Sequence, residues 1–384
     1  MSTTAAQGFT AAGVVAGLKS TGKRDVALVV NHGPKFNAAG VFTSNRVKAA
    51  PVQWSQQVLS STQAIKAVVL NSGGANACTG PDGFADTHHT AEYVADKLGI
   101  APIDVAVCST GLIGMRLPMD KLLGGVDAAV AALSETGGDD AAQAIMTTDS
   151  VPKTAVRTGT GYTIGGMAKG AGMLAPGLAT MLVVITTDAD VDPAALDTAL
   201  RKASAYSFDR TDSDGCMSTN DTVLLLANGA SGVTPTMIEF ESLLEQVCVE
   251  LARKLIGDAE GASKDIRIHV TAAASTDEAL DVARTVSRSN LLKCAIHGED
   301  PNWGRVLSAI GTTNATFEPD EIDVAINGVW VCRSGMTGDD RNLVDMSGRE
   351  VSITVSLRAG NAEATLWTND LTATYVHENS AYSS

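Results

Sequence analysis

The chain has 384 residues, enough for two or three domains or for one large layered domain. It is 45% hydrophobic and carries 37 glycines but is only 4% aromatic, so its core must be built mainly from Ala, Val, Leu and Ile. Its 43 acidic residues against 28 basic ones give a net charge of −15 with no Lys/Arg cluster, which disfavours nucleic acid as a partner. No apolar stretch reaches the roughly 18 residues that a membrane span needs, and the N-terminus lacks the basic and apolar regions of a signal peptide. A cytoplasmic protein with no membrane partner is expected. Cys78, Cys108, Cys216, Cys248, Cys294 and Cys332 form no C-x-x-C pair and no zinc spacing, and read as reduced, small, buried residues.

In chain order, two apolar runs each feed a glycine turn. Residues 64–70 lead into Asn71-Ser72-Gly73-Gly74, and residues 103–108 lead into Ser109-Thr110-Gly111-Leu112-Ile113-Gly114. Such turns can aim several backbone N–H groups at one spot. Between them a helix is predicted over about 84–98, stopped by Gly99. His88 and Glu92 share one face of it, but the H-E-x-x-H order of a zinc protease is missing and no third ligand is near, so a solvated face accounts for them.

Gly165-Gly166-Met167-Ala168-Lys169-Gly170 lacks the Gly-Lys-Ser/Thr ending of a phosphate loop and no helix follows it. Its glycines more simply let the backbone pass close to another segment, or adopt a strained turn before Thr180. The chain then delivers Thr180 to the mouth of the buried run 182–185. A loop entering a core strand is one reading. The other is a chain that cuts itself before Thr180, exposing a hydroxyl nucleophile beside an α-amine whose unperturbed pKa is about 7.7–8.0 and which serves as its base.

Further on, Asp192 and Pro193 open a helix to about 203. The strongest helix spans 240–256, with Phe240, Leu243, Leu244, Val247, Cys248, Leu251 and Leu255 on one face and Gly257 as its stop. Asp258-Ala259-Glu260-Gly261-Ala262-Ser263-Lys264 forms a turn before a strand in which Ile266, Ile268 and Val270 alternate with Arg267 and His269. A carboxylate there is either a solvated group or an acid/base. A composition break at 272–276 marks a candidate sub-boundary, and a helix follows over about 277–288, opening on Ser275-Thr276. The loop Glu299-Asp300-Pro301-Asn302-Trp303-Gly304-Arg305 sets an acid pair beside Trp and Arg, a structural knot of hydrogen bonds as easily as a site. The tail alternates polar and apolar residues through Tyr375-Val376 and ends in small polar groups. Strands paired between helices suit an α+β layered fold better than a doubly wound sheet.

Together these strings resemble the ornithine acetyltransferase (glutamate N-acetyltransferase) family of arginine biosynthesis from end to end. The matching pieces are Asn71-Ser72-Gly73 to Gly80, Ser109 to Gly114, Ile145-Met146-Thr147-Thr148-Asp149, Lys169-Gly170 to Leu182, Glu260 to Lys264, Gly298 to Arg305, and Asn379 to Ser384. Ala171 stands where the family often has Ser, Ser263 where it has Thr, and His297 where it has an aromatic residue. None of these touches the Ala179-Thr180 pair.

The resemblance implies an α/β/β/α sandwich of the self-processing N-terminal-nucleophile-like type with a smaller C-terminal α+β domain. It implies cleavage between Ala179 and Thr180, giving chains 1–179 and 180–384 and an α2β2 heterotetramer. Thr180 is then the nucleophile of a ping-pong transfer of acetyl from N2-acetyl-L-ornithine to L-glutamate. Thr110 and Gly111 supply the oxyanion hole, and Glu260 is the acid/base. Thr147, Lys169, Thr180, Glu260, Asn379 and Ser384 match the substrate-contacting positions. The acetyl carrier is the threonine ester, so neither metal nor organic cofactor is expected. Acetyl-CoA as a second donor stays open, as does a self-processing amidohydrolase or aminopeptidase that passes its acyl group to water.

Overall fold

The computed structural model describes residues 2–175 and 181–381. Two compact units emerge: residues up to Asp209 together with Met217–Leu255, and Arg210–Cys216 together with Ile256 onward. The break at 272–276 therefore lies inside the second unit.

In the first unit, β1 (Phe9–Val14), β2 (Val26–Asn31), β4 (Ala67–Asn71) and β5 (Val105–Ser109) form a sheet in the order β1-β2-β4-β5. A second sheet has the order β3-β9-β8-β7-β6, from β3 (Asn37–Phe42), β6 (Lys153–Thr158), β7 (Thr163–Lys169), β8 (Leu182–Thr187) and β9 (Thr222–Ala227). Strands β2, β4, β5, β8 and β9 are buried along their whole length. This explains their unbroken apolar runs, since a strand covered on both faces has no side to give to water.

The two-residue period of a strand sorts these side chains into layers. Ala27, Val29, Val68, Leu70, Ala106 and Cys108 meet Met167, Leu182, Val184, Leu224 and Leu226 in a core between the two sheets. Their neighbours Leu28, Val30, Val69, Val105 and Val107 face the other way, onto α2 (Gly80–Leu98) and α3 (Met119–Ala132). On the far side of the second sheet lie α5 (Pro193–Tyr206), against β3 and β9, and α6 (Met237–Gly257), whose Leu251 approaches Gly166. The layers read α/β/β/α, as expected from the sequence. Helix α4 (Gly138–Ala144) adds Ala141, Ala142 and Ala144 to the inter-sheet core.

The parallel pairs β4–β5 and β8–β9 require crossovers, which α2 and α5 lie within. The remaining pairs in both sheets are antiparallel. The free edge of β5 is covered by α1 (Ala50–Thr62), where Ser55 Oγ donates 2.8 Å to Val107 O and accepts from Val107 N–H at 3.0 Å.

The second unit has one six-stranded sheet, β13-β12-β11-β14-β10-β15. Its strands are β10 (Asp265–Ala273), β11 (Asp323–Ile326), β12 (Val329–Arg333), β13 (Met336–Thr337), β14 (Glu350–Ser356) and β15 (Ala362–Asn369). Ile266, Ile268, Val270, Ile353 and Leu366 pack with residues of α7 (Thr276–Ser287), α8 (Asn290–His297) and α9 (Trp303–Ile310). Arg267 and His269 alternate onto the opposite face, as the period-two pattern requires.

Asp192 caps α5 through the N–H groups of Ala194 and Ala195, and Ser275 caps α7 through Glu278 N–H. Three expected boundaries shift. Helix α2 begins four residues early because Pro81 starts its first turn. Helix α6 starts at Met237 and keeps Gly257 as its last residue. Residues 102–104 form a 3₁₀ turn before β5. Two readings are corrected. The tail is not an alternating run but a helix, α10 (Ala373–Ala381). Only Cys108, Cys248 and Cys332 are buried, while Cys78, Cys216 and Cys294 are exposed, and all six are free thiols.

The close-approach reading of the Gly165-Gly166 string holds. A methyl group on Gly165 would lie 2.2 Å from Ser2 O, whereas one on Gly166 would meet only side-chain atoms, at 3.2 and 3.3 Å, before a backbone oxygen at 3.5 Å. Overpacking against backbone costs on the order of 1–3 kcal/mol. In urea titrations Gly165→Ala is expected to lower the midpoint clearly more than Gly166→Ala; equal midpoints would contradict this packing.

Candidate active site

In the first unit, the two glycine turns lie side by side. Gly74 N–H donates 3.0 Å to Thr110 O, and Thr110 N–H donates 2.9 Å to Asn71 O. Asn71 ties the pair together, its Nδ2 reaching Gly74 O at 3.0 Å and its Oδ1 accepting from Ser109 Oγ at 2.5 Å. Gly111 has φ +131°, and a Cβ there would sit 2.7 Å from Gly74 N, so only glycine fits.

The consequence is chemical. The main-chain amide of Thr110 is engaged, but its hydroxyl proton and the Gly111 N–H have no acceptor among the described residues. Lys169 Nζ donates 3.1 Å to Thr110 Oγ1, which makes that hydroxyl a stronger donor in turn. Thr110 and Lys169 are both buried. Two donors on adjacent residues, the buried one beside a cation, suit a developing oxyanion.

Lys169 belongs to a buried charged group centred on Asp149. Asp149 Oδ1 accepts from Lys153 Nζ at 2.6 Å and from Gly170 N–H at 2.7 Å, while its Oδ2 accepts from Thr147 N–H at 2.9 Å. Burial alone would raise the Asp149 pKa. The charges of Lys169 and Lys153 and the bonds from Gly170 and Lys153 outweigh burial and bring it from 3.8 to about 2. Thr147 and Lys169 are thus assembled with Thr110 and Gly111 in one unit.

Nearby, Lys19 Nζ donates 2.6 Å to Met146 O, next to Thr147. Burial brings Lys19 down to about 8, with Asp25 raising it and Lys169 lowering it. Asp25 organises this loop by accepting the N–H groups of Ala16, Leu18 and Lys19. Sequence reasoning missed Asp149 as a hub, Lys153 and Lys19. The available signal was a lysine at each end of a β6–β7 hairpin whose other residues are largely apolar.

In the second unit, Glu260 is buried and its Oε2 accepts from Asn379 Nδ2 at 2.9 Å. Asn379 also bonds Tyr375 O within α10. Gly261 has φ +63°, and a Cβ there would be 2.3 Å from Tyr375 N. The Glu260 turn is therefore built against α10, which orders Asn379. Asp370 accepts from the N–H groups of Ser263 and Lys264, both at 2.9 Å, and from Ser263 Oγ. Ser263, His297 and Asp370 do not form a nucleophile relay, because Ser263 and Asp370 meet the same ring nitrogen, His297 Nδ1. Glu299 is structural: it pairs with Lys264 Nζ at 2.9 Å. His88 and Glu92 sit on an exposed face, 3.7 Å apart. Ala179, Thr180 and Ser384 lie outside the described residues. Among the described residues no group of three or more His, Cys, Asp or Glu side chains is placed to hold a metal ion, and no helix is long and apolar enough to cross a membrane.

An α/β/β/α sandwich with two glycine turns side by side at the ends of β4 and β5 defines the class of this protein. The ArgJ family model matches residues 10–384, and the chain belongs to that family. The arginine biosynthesis bifunctional protein ArgJ of Streptomyces coelicolor is 69% identical over 384 residues, covering all of both chains. The protein of that name from Thermobifida fusca is 63% identical over 383 residues, again covering all of both. Among solved structures, the ornithine acetyltransferase of Mycobacterium tuberculosis in complex with ornithine is similar at 59% identity and a TM-score of 0.45. It matches 47% of this chain and 96% of its own.

Asp149 sets a stability test. Its pKa is depressed in the folded protein, so its contribution is present above about pH 4 and is lost as pH falls toward 2. Asp149→Asn leaves the Lys153 amine buried without its carboxylate, a loss of about 3–5 kcal/mol. Urea unfolding at pH 7 should register that loss, and the gap to the parent should narrow below pH 4. An unchanged midpoint at pH 7 would contradict the buried pair.

Proposed function

We propose that the protein is a glutamate N-acetyltransferase of arginine biosynthesis, made active by its own cleavage between Ala179 and Thr180. Thr180 Oγ attacks the Ala179 carbonyl, the acyl group moves from nitrogen to oxygen, and water hydrolyses the ester. The freed Thr180 amine then takes the hydroxyl proton as Oγ attacks the acetyl group of N2-acetyl-L-ornithine. Ornithine leaves with a proton from Glu260, and L-glutamate, deprotonated at its amine by Glu260, collects the acetyl group. The Thr110 hydroxyl and the Gly111 amide stabilise each tetrahedral oxyanion.

The observation that carries this reading is the engagement of the Thr110 amide by Asn71, which leaves the Lys169-polarised hydroxyl and the Gly111 amide without an acceptor among the described residues. The names of the relatives, full-length at up to 69% identity, support the pathway. In this scheme Thr147, Lys169, Asn379 and Ser384 are substrate-contacting residues, as the family resemblance implies. The two chains 1–179 and 180–384 assemble as an α2β2 heterotetramer in the cytoplasm. The bifunctional label of the relatives favours acetyl-CoA as a second acetyl donor.

Incubation of purified protein with N2-acetyl-L-ornithine, with and without L-glutamate, is the decisive assay. Ornithine release should depend on glutamate and yield N-acetylglutamate. Release at the same rate without glutamate would instead identify an amidohydrolase. Thr110→Val should lower kcat by about 10²–10³ with little change in KM, as expected for loss of one oxyanion donor.

A further inference from the structure

Between the two sheets of the first unit, the contact is an apolar core. Hydrophobic packing is not directional and leaves sliding of one sheet over the other weakly fixed. Yet Thr110 sits at the end of β5, in one sheet, and Met181 leads into β8, in the other. Oxyanion donors must stand about 2.7–3.1 Å from the developing charge, and an error of about 1 Å costs on the order of 10² in rate. Something directional has to join these two places.

Asn220 and Asp221, just ahead of β9, do so. Both are buried, at 4% and 0% exposure. Asn220 Nδ2 donates 2.8 Å to Ser109 O, the residue before Thr110, and 2.6 Å to Ala75 O, the residue after Gly74. Its Oδ1 accepts from Thr219 Oγ1 at 2.6 Å, so the amide is fixed in orientation. Asp221 reaches the other sheet, its Oδ1 accepting from Met181 N–H at 3.0 Å. Thr222 N–H donates 3.1 Å to Met181 O, which clamps Met181 from both of its backbone groups.

The remaining oxygen, Asp221 Oδ2, is buried with no hydrogen-bond partner among the described residues. A buried carboxylate oxygen without a donor is costly, and more so than the neutral acid in the same place. Burial pushes the acid's pKa well above its ordinary value, against the opposing effects of the Met181 N–H, the Ser218 hydroxyl, the Lys169 charge and the Thr43 hydroxyl.

We infer that Asn220 and Asp221 form a positioning clasp that sets the oxyanion turn against the residue entering β8. The inference rests on Thr180 being the nucleophile, because Met181 is the residue that follows it. Neither side chain touches the reacting atoms in this scheme, so both are positioning residues.

The test compares Asn220→Ala, Asp221→Ala, Asp221→Asn and Thr180→Ala. Cleavage is followed by intact mass, acetyl transfer from N2-acetyl-L-ornithine to L-glutamate by kcat and KM, and folding by melting temperature. Asn220→Ala and Asp221→Ala should slow cleavage and lower kcat on the order of 10²-fold, with KM changed by less than about threefold. Asp221→Asn keeps the acceptor for Met181 N–H and lacks a charge, so it should recover most of the loss seen in Asp221→Ala. Two results overturn the clasp: wild-type kcat in Asn220→Ala, or Asp221→Asn as slow as Asp221→Ala at an unchanged melting temperature. If Asn220→Ala does not fold, the Asp221 pair decides by the same criterion. Activity surviving in Thr180→Ala would overturn the acetyltransfer scheme itself, whereas an inactive Thr180→Ala beside a fully active Asn220→Ala removes the clasp alone.

Discussion

A carboxylate closed away from water organises the first unit. Asp149 is almost fully buried, and a lone charge there would cost several kcal/mol, so the fold has to bring it partners. It collects the amine of Lys153 at the start of β6, the Gly170 amide just past β7, and the Thr147 amide from the preceding loop. This pins the β6–β7 hairpin to the loop before it. Lys169, whose charge also acts on Asp149, can then reach across to Thr110 in the facing sheet. One buried ion pair is thereby coupled to the orientation of a hydroxyl in the other layer.

Around that hub the glycines act as clearance. Gly111 and Gly165 each occupy places where a methyl group would enter another segment's backbone. Gly73 gives the same freedom to the Lys19 loop, since a Cβ there would fall 2.2 Å from Leu18 Cβ. The turns can therefore press together, and the polar atoms they bring meet at hydrogen-bonding distance. In the second unit Gly261 does this for Glu260, letting the turn lie against the backbone of α10.

Much of this was legible in the chain. The Asp192-Pro193 and Ser275 starts were readable because a side-chain cap is a local interaction between neighbours. The buried strands of the sandwich were readable as unbroken apolar runs, and Thr110-Gly111 as a turn after one of them. The start of α2 was not, since Gly80-Pro81-Asp82-Gly83 carries turn residues and becomes helical only with tertiary support. The tail helix was hidden for a similar reason: its first turn is fixed by Thr372, whose hydroxyl accepts from Tyr375 N–H and donates to the distant Gly261 O. Asp149 and the Asn220-Asp221 pair stayed invisible because their meaning lies in partners far away in sequence. The roles of Thr180, Glu260 and the tail came from family resemblance, not from local pattern.

The proposed acetyl transfer depends on the bond between Ala179 and Thr180 being broken, because only then does Thr180 carry a free amine beside its hydroxyl. N-terminal sequencing of the purified mature protein, with intact mass of each species, reads this directly. The account predicts two chains, the second beginning Thr180-Met181-Leu182. A single chain of 39.5 kDa retaining full acetyl transfer would contradict it.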